Sequence, residues 1–205
     1  MTSNPSDPEV VASSPADAQT MVHLLQGFAD LVAEAVGGRA EILHDTVKVT
    51  VANEGWVTAH SVARDDLDLV FFSWLSAIDW ANDVEAGDPL KDEVEERLEL
   101  LSTVGDLTEG KRVTFSTTLD SESPVISTLV DVYAGSNWHE REAAEMFGIV
   151  FTGHPDLTKL YLPDHFIGNP LRKSYPLLSR EVKPWPGTVD VEGMPDSPTT
   201  ENPGA

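Results

Sequence analysis

The sequence contains no cysteine, which is the first of four features that are missing or scarce and that limit what the chain can do. Without thiols it can by itself form neither disulfides nor thiolate-ligated zinc or iron–sulfur centres. Basic residues are scarce, since 13 lysines and arginines stand against 35 aspartates and glutamates, and the formal net charge is −22. This acidity argues against nucleic acid or an anionic membrane surface as a direct partner of the main body.

Long apolar runs are the third absence. No stretch approaches the ~20 apolar residues that span a bilayer, and the N-terminus lacks a basic region followed by an apolar one. We therefore expect a chain made in the cytosol that meets a membrane through partners alone. Glycine patterns that cradle phosphates are also missing, so direct binding of NADH or another nucleotide is not predicted.

The 205 residues that are present suit one domain with tails. Residues 1–13 are rich in Ser, Pro and Asp and are predicted to be a disordered tail. Residues 14–147 carry periodic apolar patterns and are predicted to form an α+β domain. We expect residues 148–177 to be an irregular segment that docks on a partner, and residues 178–205 to be an extended C-terminal tail.

The periodicity of the domain predicts a two-layer sandwich of helices on a mixed β-sheet, followed by an extended irregular C-terminal segment. Val70 to Leu75 is apolar or aromatic except at Ser73, which predicts a central strand covered on both faces. His60 has no evident partner. The predicted elements are a helix beginning at the Ser14 cap and ending before Gly37, a hairpin at 40–44 and 47–51, a helix at 56–64, strands at 68–78, 96–103 and 111–117, a helical or turn-like segment at 124–133, and a helix from Glu140 to Phe147 that Gly148 ends.

Glycine and proline punctuate the chain after Gly148 so densely that neither a long helix nor a central strand can form. Ordering such a stretch costs roughly 1–2 kcal/mol of backbone entropy per residue, which its few apolar side chains can hardly offset. We expect it either to wrap on its own domain or to lie on a partner. The anchors would be Phe151, Leu157, Leu160, Tyr161, Phe166, Leu171 and Tyr175.

The polar residues around this stretch allow several chemistries. His139-Glu140 opens like the zinc pattern H-E-x-x-H, but Ala143 replaces the second ligand. A metal site built from His139, His154 and His165 with Asp156 or Asp164 stays open, as does acid–base work by Glu140 and Glu142. We favour buried or interfacial ion pairs that fix how the segment leaves the domain, with Arg141 able to pair with Glu145 four residues on.

The same residues resemble a known family. Its motif appears as Glu140-Arg141-Glu142-x-x-Glu145-Met146-Phe147-Gly148, then Phe151, Gly153-His154-Pro155-Asp156-Leu157 and Pro170-Leu171-Arg172-Lys173-x-Tyr175-Pro176. This pattern resembles the C subunit of the proton-pumping NADH:quinone oxidoreductase, respiratory complex I. The match covers about forty residues closely, and the upstream element order is compatible with it.

The resemblance implies a non-catalytic subunit without a cofactor of its own, in a complex whose other subunits hold FMN and iron–sulfur clusters. It implies a peripheral position on the cytoplasmic side of the cell membrane, against the quinone-site D subunit and beside the B and I subunits. The interface or positioning residues would be Glu140, Arg141, Glu142, His154, Arg172 and Lys173. The equivalent subunit of a related membrane-bound hydrogenase or dehydrogenase, a stand-alone acidic binding module and a small hydrolase remain alternatives.

Overall fold

A computed structural model describes residues 15–44, 46–82 and 92–176. The predicted tails at 1–13 and 178–205 and the Ser14 cap lie outside this range. The elements follow the predicted order closely: α1 Pro15–Val36, β1 Arg39–Leu43, β2 Thr46–Thr50, a 3₁₀ turn Asn53–Gly55, α2 Trp56–Asp65, β3 Phe71–Asp79, β4 Leu98–Gly105, β5 Arg112–Leu119, β6 Val125–Ser127, α3 Ser136–Phe147 and β7 Val150–Thr152.

Five strands form the main sheet, in the order β1-β2-β5-β4-β3. The β2–β5 pair is parallel and the other three pairs are antiparallel, so the sheet is mixed. Because side chains alternate along a strand, one face carries the buried residues Val49, Phe115 and Leu100. The three helices lie on that face, and the α+β prediction is confirmed.

The helices bury small and aromatic side chains against the sheet. Ala29 and Val32 of α1 and Ala59 of α2 are at most 1% exposed, and all belong to one core cluster. The rings of Phe72 and His139 lie 5.7 Å apart and join α3 to the same layer. The opposite face of the sheet carries no helix within the part of the chain that the structure describes.

The prediction that Val70 to Leu75 forms a central strand is wrong. β3 is an edge strand that pairs with β4 alone, and its neighbour Val70 is 64% exposed. Leu75 faces the helices and is buried, whereas Phe71 at the start of the strand is 43% exposed. The apolar pattern predicts burial on two sides, but the described residues cover one side.

The segment at 124–133 also differs from its prediction. Val125–Ser127 is the strand β6, which pairs in parallel with β7 in a separate two-stranded sheet. Turns follow at 130–132, and α3 is the one helix between this point and residue 176. The small sheet places the residues after α3 beside the loop that precedes it.

Candidate protein-docking site

The candidate site consists of α3 and residues 148–176, which we call the docking segment. Gly148 ends α3 in the left-handed conformation, with φ of +76°, and its N–H donates to the carbonyl of Ala144. A Cβ at this position would lie 2.8 Å from Oδ1 of Asn169. Glycine therefore permits both the sharp turn and the close return of the docking segment.

The returning docking segment satisfies the last carbonyls of α3, which a helix by itself leaves without partners. Asn169 Nδ2 donates to the carbonyl of Glu145 at 3.0 Å, and the N–H of Leu171 donates to the carbonyl of Met146 at 3.1 Å. Hydrogen bonds thus join the end of the helix to the far part of the docking segment.

Glu145 holds the middle of the docking segment. Its buried carboxylate accepts the backbone N–H groups of Leu160 at 3.0 Å, Tyr161 at 3.0 Å and Leu162 at 3.3 Å. The predicted pairing with Arg141 is wrong, because the guanidinium turns to other groups. A carboxylate that receives three backbone donors can order a loop that has no regular structure.

Arg141 fixes the preceding residues from the same helix. Its Nε donates to the carbonyl of Thr158 at 2.8 Å, and its Nη2 donates to the Thr158 hydroxyl at 2.9 Å. The guanidinium also lies 5.2 Å from the ring centroid of Trp138, whose side chain is 63% exposed. Lys159 in turn donates to the carbonyls of Pro163, Asp164 and Phe166. The side chains of Arg141 and Lys159 therefore donate mainly to backbone carbonyl oxygens of the docking segment.

Glu140 lies fully buried at the base of the site. Its carboxylate accepts the Thr128 hydroxyl at 2.5 Å and the Leu129 N–H at 2.6 Å. Burial raises the pKa of Glu140, and these two hydrogen bonds offset part of the effect. Its contacts are mainly to neutral donors, so it ties α3 to the β6 loop rather than forming the ion pair we expected.

His154 is the neighbour of Glu140 from the docking segment, with 3.9 Å between Nε2 and the carboxylate. Its Nδ1 accepts the Asp156 N–H at 3.0 Å, so Nε2 carries the proton and faces the carbonyl of Asn137 at 3.3 Å. The histidine thus fixes the Gly153-His154-Pro155 turn against the first turn of α3.

Asp79, at the end of β3, holds the last described residues. Its carboxylate accepts the N–H of Lys173 at 2.9 Å and lies 4.0 Å from Nη1 of Arg172. Arg172 also donates to the carbonyl of Ser121. Glu142 differs from the other candidates, because it is half-buried and makes no hydrogen bond or ion pair with a described residue.

The seven predicted apolar anchors divide among buried, half-buried and exposed positions. Phe151 is buried and Leu160, Phe166 and Tyr175 are half-buried, whereas Leu157, Tyr161 and Leu171 are exposed. Ile167, which was not among the predicted anchors, is 88% exposed. We give the name anchor surface to the exposed side chains Tyr161, Ile167 and Leu171 of the docking segment together with Trp138 of α3. Exposed aromatic and aliphatic side chains on an ordered loop are typical of protein interfaces.

The described residues do not assemble the site that the metal hypothesis or the hydrolase hypothesis requires. Among residues 15–44, 46–82 and 92–176, no group of three or more His, Asp or Glu side chains could hold a metal ion. His139 packs on Phe72, while His154 serves the turn described above. Of the acid–base candidates, Glu140 is fully buried and its carboxylate accepts the Thr128 hydroxyl, while Glu142 makes no hydrogen bond with a described residue.

The expectation that His60 has no partner is wrong. It is fully buried, its Nδ1 donates to the carbonyl of Trp56 at 2.7 Å, and its Nε2 accepts the hydroxyl of Ser102 at 2.5 Å. Burial lowers its pKa from 6.5 to about 4, and the bond to Trp56 opposes part of that shift. The pair joins α2 to β4 inside the core, out of reach of any substrate.

The family model and the individual relatives that match this chain agree with one another. A family described as "Respiratory-chain NADH dehydrogenase, 30 Kd subunit" matches residues 49–181. The chain is 34% identical over 161 residues to the C subunit of the NADH-quinone oxidoreductase of Rhodobacter capsulatus, covering 76% of this chain and 75% of that protein. It is 30% identical over 163 residues to the C subunit of the Salinispora tropica enzyme, covering 74% of this chain and 62% of that protein.

Two solved structures share the fold. The trypsin-resistant fragment of Nqo5 superimposes with a TM-score of 0.50 at 22% identity, covering 67% of this chain and 99% of the fragment. A chain of the membrane-bound sulfane sulfur reductase, an archaeal respiratory membrane complex, superimposes with a TM-score of 0.52 at 16% identity, covering 69% and 78%. None of the helices in the described residues is both long enough and apolar enough to cross a membrane.

Proposed function

This chain belongs to the family of the 30 kDa subunit of respiratory-chain NADH dehydrogenase, and from that membership we propose that it is a peripheral, non-catalytic subunit of a proton-translocating NADH:quinone oxidoreductase. Its task is to dock: it contributes an ordered surface to an assembly in which other subunits bind NADH, FMN, the iron–sulfur clusters and quinone. The chain spans 62% of the length of its Salinispora tropica relative, so the activity of the whole complex is part of the proposal.

One observation carries the docking function: polar contacts within its own chain order the middle of the docking segment, and three of its large apolar side chains stay exposed. Glu145 and Arg141 together engage the backbone of residues 158–162. Leu171, Tyr161 and Ile167 stay exposed. Because the backbone is already ordered, a partner that covers the anchor surface gains apolar burial without paying the full ordering entropy of the loop.

The proposed partners are the quinone-site D subunit, covering the anchor surface, and the B and I subunits beside it. On this proposal the chain lies on the cytoplasmic side of the cell membrane and meets the membrane through those subunits. Arg141, His154, Arg172 and Lys173 position the docking segment, Glu140 supports α3 from below, and Glu142 contacts the partner directly. The carboxylate of Glu142 supports this division, since the described residues give it no partner.

The test is a tagged purification of the full-length chain from mildly solubilised membranes of the source cell. We expect respiratory subunits, FMN and iron–sulfur absorbance and NADH-driven quinone reduction to accompany the chain. Ile167→Asp and Leu171→Asp, which place a charge on the anchor surface, should each reduce recovery of the complex by about tenfold or more.

A matched control separates docking from folding. Leu31→Asp changes an equally apolar side chain that is 52% exposed but lies on α1, outside α3 and the docking segment. It should leave recovery unchanged. Purification of the wild-type chain alone, or an equal loss for all three variants, would refute the proposal and favour a stand-alone binding module.

A further inference from the structure

The face of the main sheet that points away from the helices, which we call the outer face, is unusually apolar along one edge. β3 places Phe71, Trp74 and Ile78 on it, opposite Gly105, Thr103 and Glu99 of β4. Phe71 is 43% and Ile78 38% exposed, and Trp74 is half-buried. A sheet with helices on one face normally carries polar residues on the other. The apolar pattern of β3 therefore fits a sheet whose second face is also covered.

A buried carboxylate lies in the middle of the same face. Glu99 is 4% exposed and accepts Lys48 Nζ at 2.6 Å, Ser116 Oγ at 2.5 Å and Trp80 Nε1 at 2.8 Å. Burial opposes its charge, yet these hydrogen bonds together hold the pKa of Glu99 below its ordinary range. The network keeps Lys48 and Trp80 in fixed positions and so gives the outer face a defined shape.

A shallow cleft of about 190 Å³ opens between this network and the apolar edge. Leu43, Trp74, Ile78, Trp80 and Leu101 line it around Lys48. Its volume is below the ~300 Å³ at which small-molecule sites usually begin. A side chain or two from another protein fits such a cleft better than a free ligand does.

The charge of the outer face indicates what kind of protein would bind there. Its strand positions carry the cations Arg39, Lys48 and Arg112 and the carboxylates Glu41 and Glu99. Arg97 just before β4 adds a cation, and Asp106 just after β4 adds a carboxylate. Lys48 and Arg97 lie within ion-pair distance of Glu99, while Arg39 and Arg112 are exposed, with no carboxylate of a described residue within 4.0 Å. Although the chain has a net charge of −22, these two exposed arginines make the outer face a surface that suits an acidic partner.

We propose that the outer face is a second docking surface, occupied by a segment of a partner subunit that inserts an aliphatic or aromatic side chain into the cleft and offers carboxylates to Arg39 and Arg112. This surface is separate from the anchor surface on the helical side. The inference relies on the proposed function in one respect, that the chain works inside an assembly. It adds a second contact, on the face of the sheet that points away from the helices.

Two variants of the full-length chain in the source cell test this surface, each against one control. Ile78→Asp adds a charge at the rim of the cleft, and Arg112→Glu reverses an exposed cation on the same face. Leu31→Asp is the control, because Leu31 is 52% exposed on α1, on the other side of the sheet. We expect both test variants to lower recovery of the complex about tenfold or more, and the control to leave it unchanged.

A photo-crosslinking amino acid at Ser76, which lies on the outer face between Trp74 and Ile78, identifies the occupant. We expect a crosslink in intact membranes to another subunit, through an acidic peptide. A crosslink to a second copy of this chain would overturn the inference, as would normal recovery of both variants. If Ile78→Asp fails to fold, as judged by its circular dichroism, the exposed Arg112→Glu still decides the matter.

Failure of this inference can be distinguished from failure of the proposed function. If the wild-type chain purifies with its complex and both outer-face variants do too, the second surface is refuted and the proposed function stands. If the wild-type chain purifies alone, the proposed function is refuted and this inference with it.

Discussion

Replacing Glu145 by glutamine should release the middle of the docking segment while leaving the sheet intact. The carboxylate accepts three backbone N–H groups, from Leu160, Tyr161 and Leu162. Glutamine keeps one acceptor oxygen and turns an N–H₂ group toward donors that it cannot satisfy. The change thus removes the charge from every bond and leaves at least one buried N–H without a partner.

The size of the effect follows from those bonds. A hydrogen bond to a charged group contributes about 1.5–3 kcal/mol, and glutamine retains part of that, so we expect a loss of about 3 kcal/mol in the local opening free energy. This corresponds to about a 100-fold faster hydrogen exchange for the amides that the carboxylate engages. Amides in β4 and β5 should keep their protection, because no core contact changes.

Hydrogen exchange followed by mass spectrometry on the isolated full-length chain measures this directly. Glu142→Gln is the matched control: it makes the same chemical change on the same helix, at a carboxylate without a hydrogen bond to a described residue. The control should exchange as the wild type does. Unchanged protection of Leu160 to Leu162 in Glu145→Gln, or equal loss in both variants, would refute the idea that one carboxylate orders the segment.

Three further changes test other parts of the structure. Asp79→Ala removes the acceptor of the Lys173 N–H, so trypsin should cleave after Lys173 about tenfold faster, while cleavage elsewhere stays at the wild-type rate. Gly148→Ala forces a side chain into a φ of +76° and should lower the free energy of unfolding in urea by about 2 kcal/mol. His60 binds its proton more weakly in the folded chain, with a pKa of about 4 against 6.5, so its stabilisation is complete above 6.5 and is lost as pH falls toward 4. Unfolding in urea should therefore cost about 2 kcal/mol less at about pH 5 than at about pH 7, and His60→Asn should lack this dependence on pH.

The sequence predicted the architecture because its signals were local. Val47 and Val49 alternate with polar residues, and Gly148 follows a run of helix formers, so the hairpin and the end of α3 could be predicted from neighbouring residues alone. Strand order could not be predicted from neighbouring residues, because β3 is an edge strand by virtue of pairing with β4 on one side. An apolar run indicates that both faces of a strand are buried, but it does not indicate whether residues of the same chain or of another chain bury them.

The residues that order the docking segment were largely out of reach for the same reason. Helical spacing pairs Glu145 with Arg141, four residues away, whereas its true partners lie 15 to 17 residues away in an irregular loop. Asp79 meets Lys173 across 94 residues. No periodicity marks such contacts. The high density of proline and glycine around them was the available signal, since it meant that backbone groups would need partners other than helix or sheet.

The polar character of these contacts bears on how the chain enters an assembly. An irregular segment can be ordered by burying its apolar side chains in its own domain, and then few of them remain for a partner. Here Glu145, Arg141 and Asp79 satisfy the backbone instead, and Tyr161 and Leu171 stay outside. Hydrogen bonds to buried charges fix geometry without consuming apolar area. The groups that order the docking segment are therefore different from the groups that bind a partner.

On this reasoning Glu145→Gln should slow assembly by adding an ordering cost, while Leu171→Asp should weaken the finished interface. Association and dissociation rates of the reconstituted complex distinguish the two, and a dissociation rate raised equally by both variants would contradict the separation.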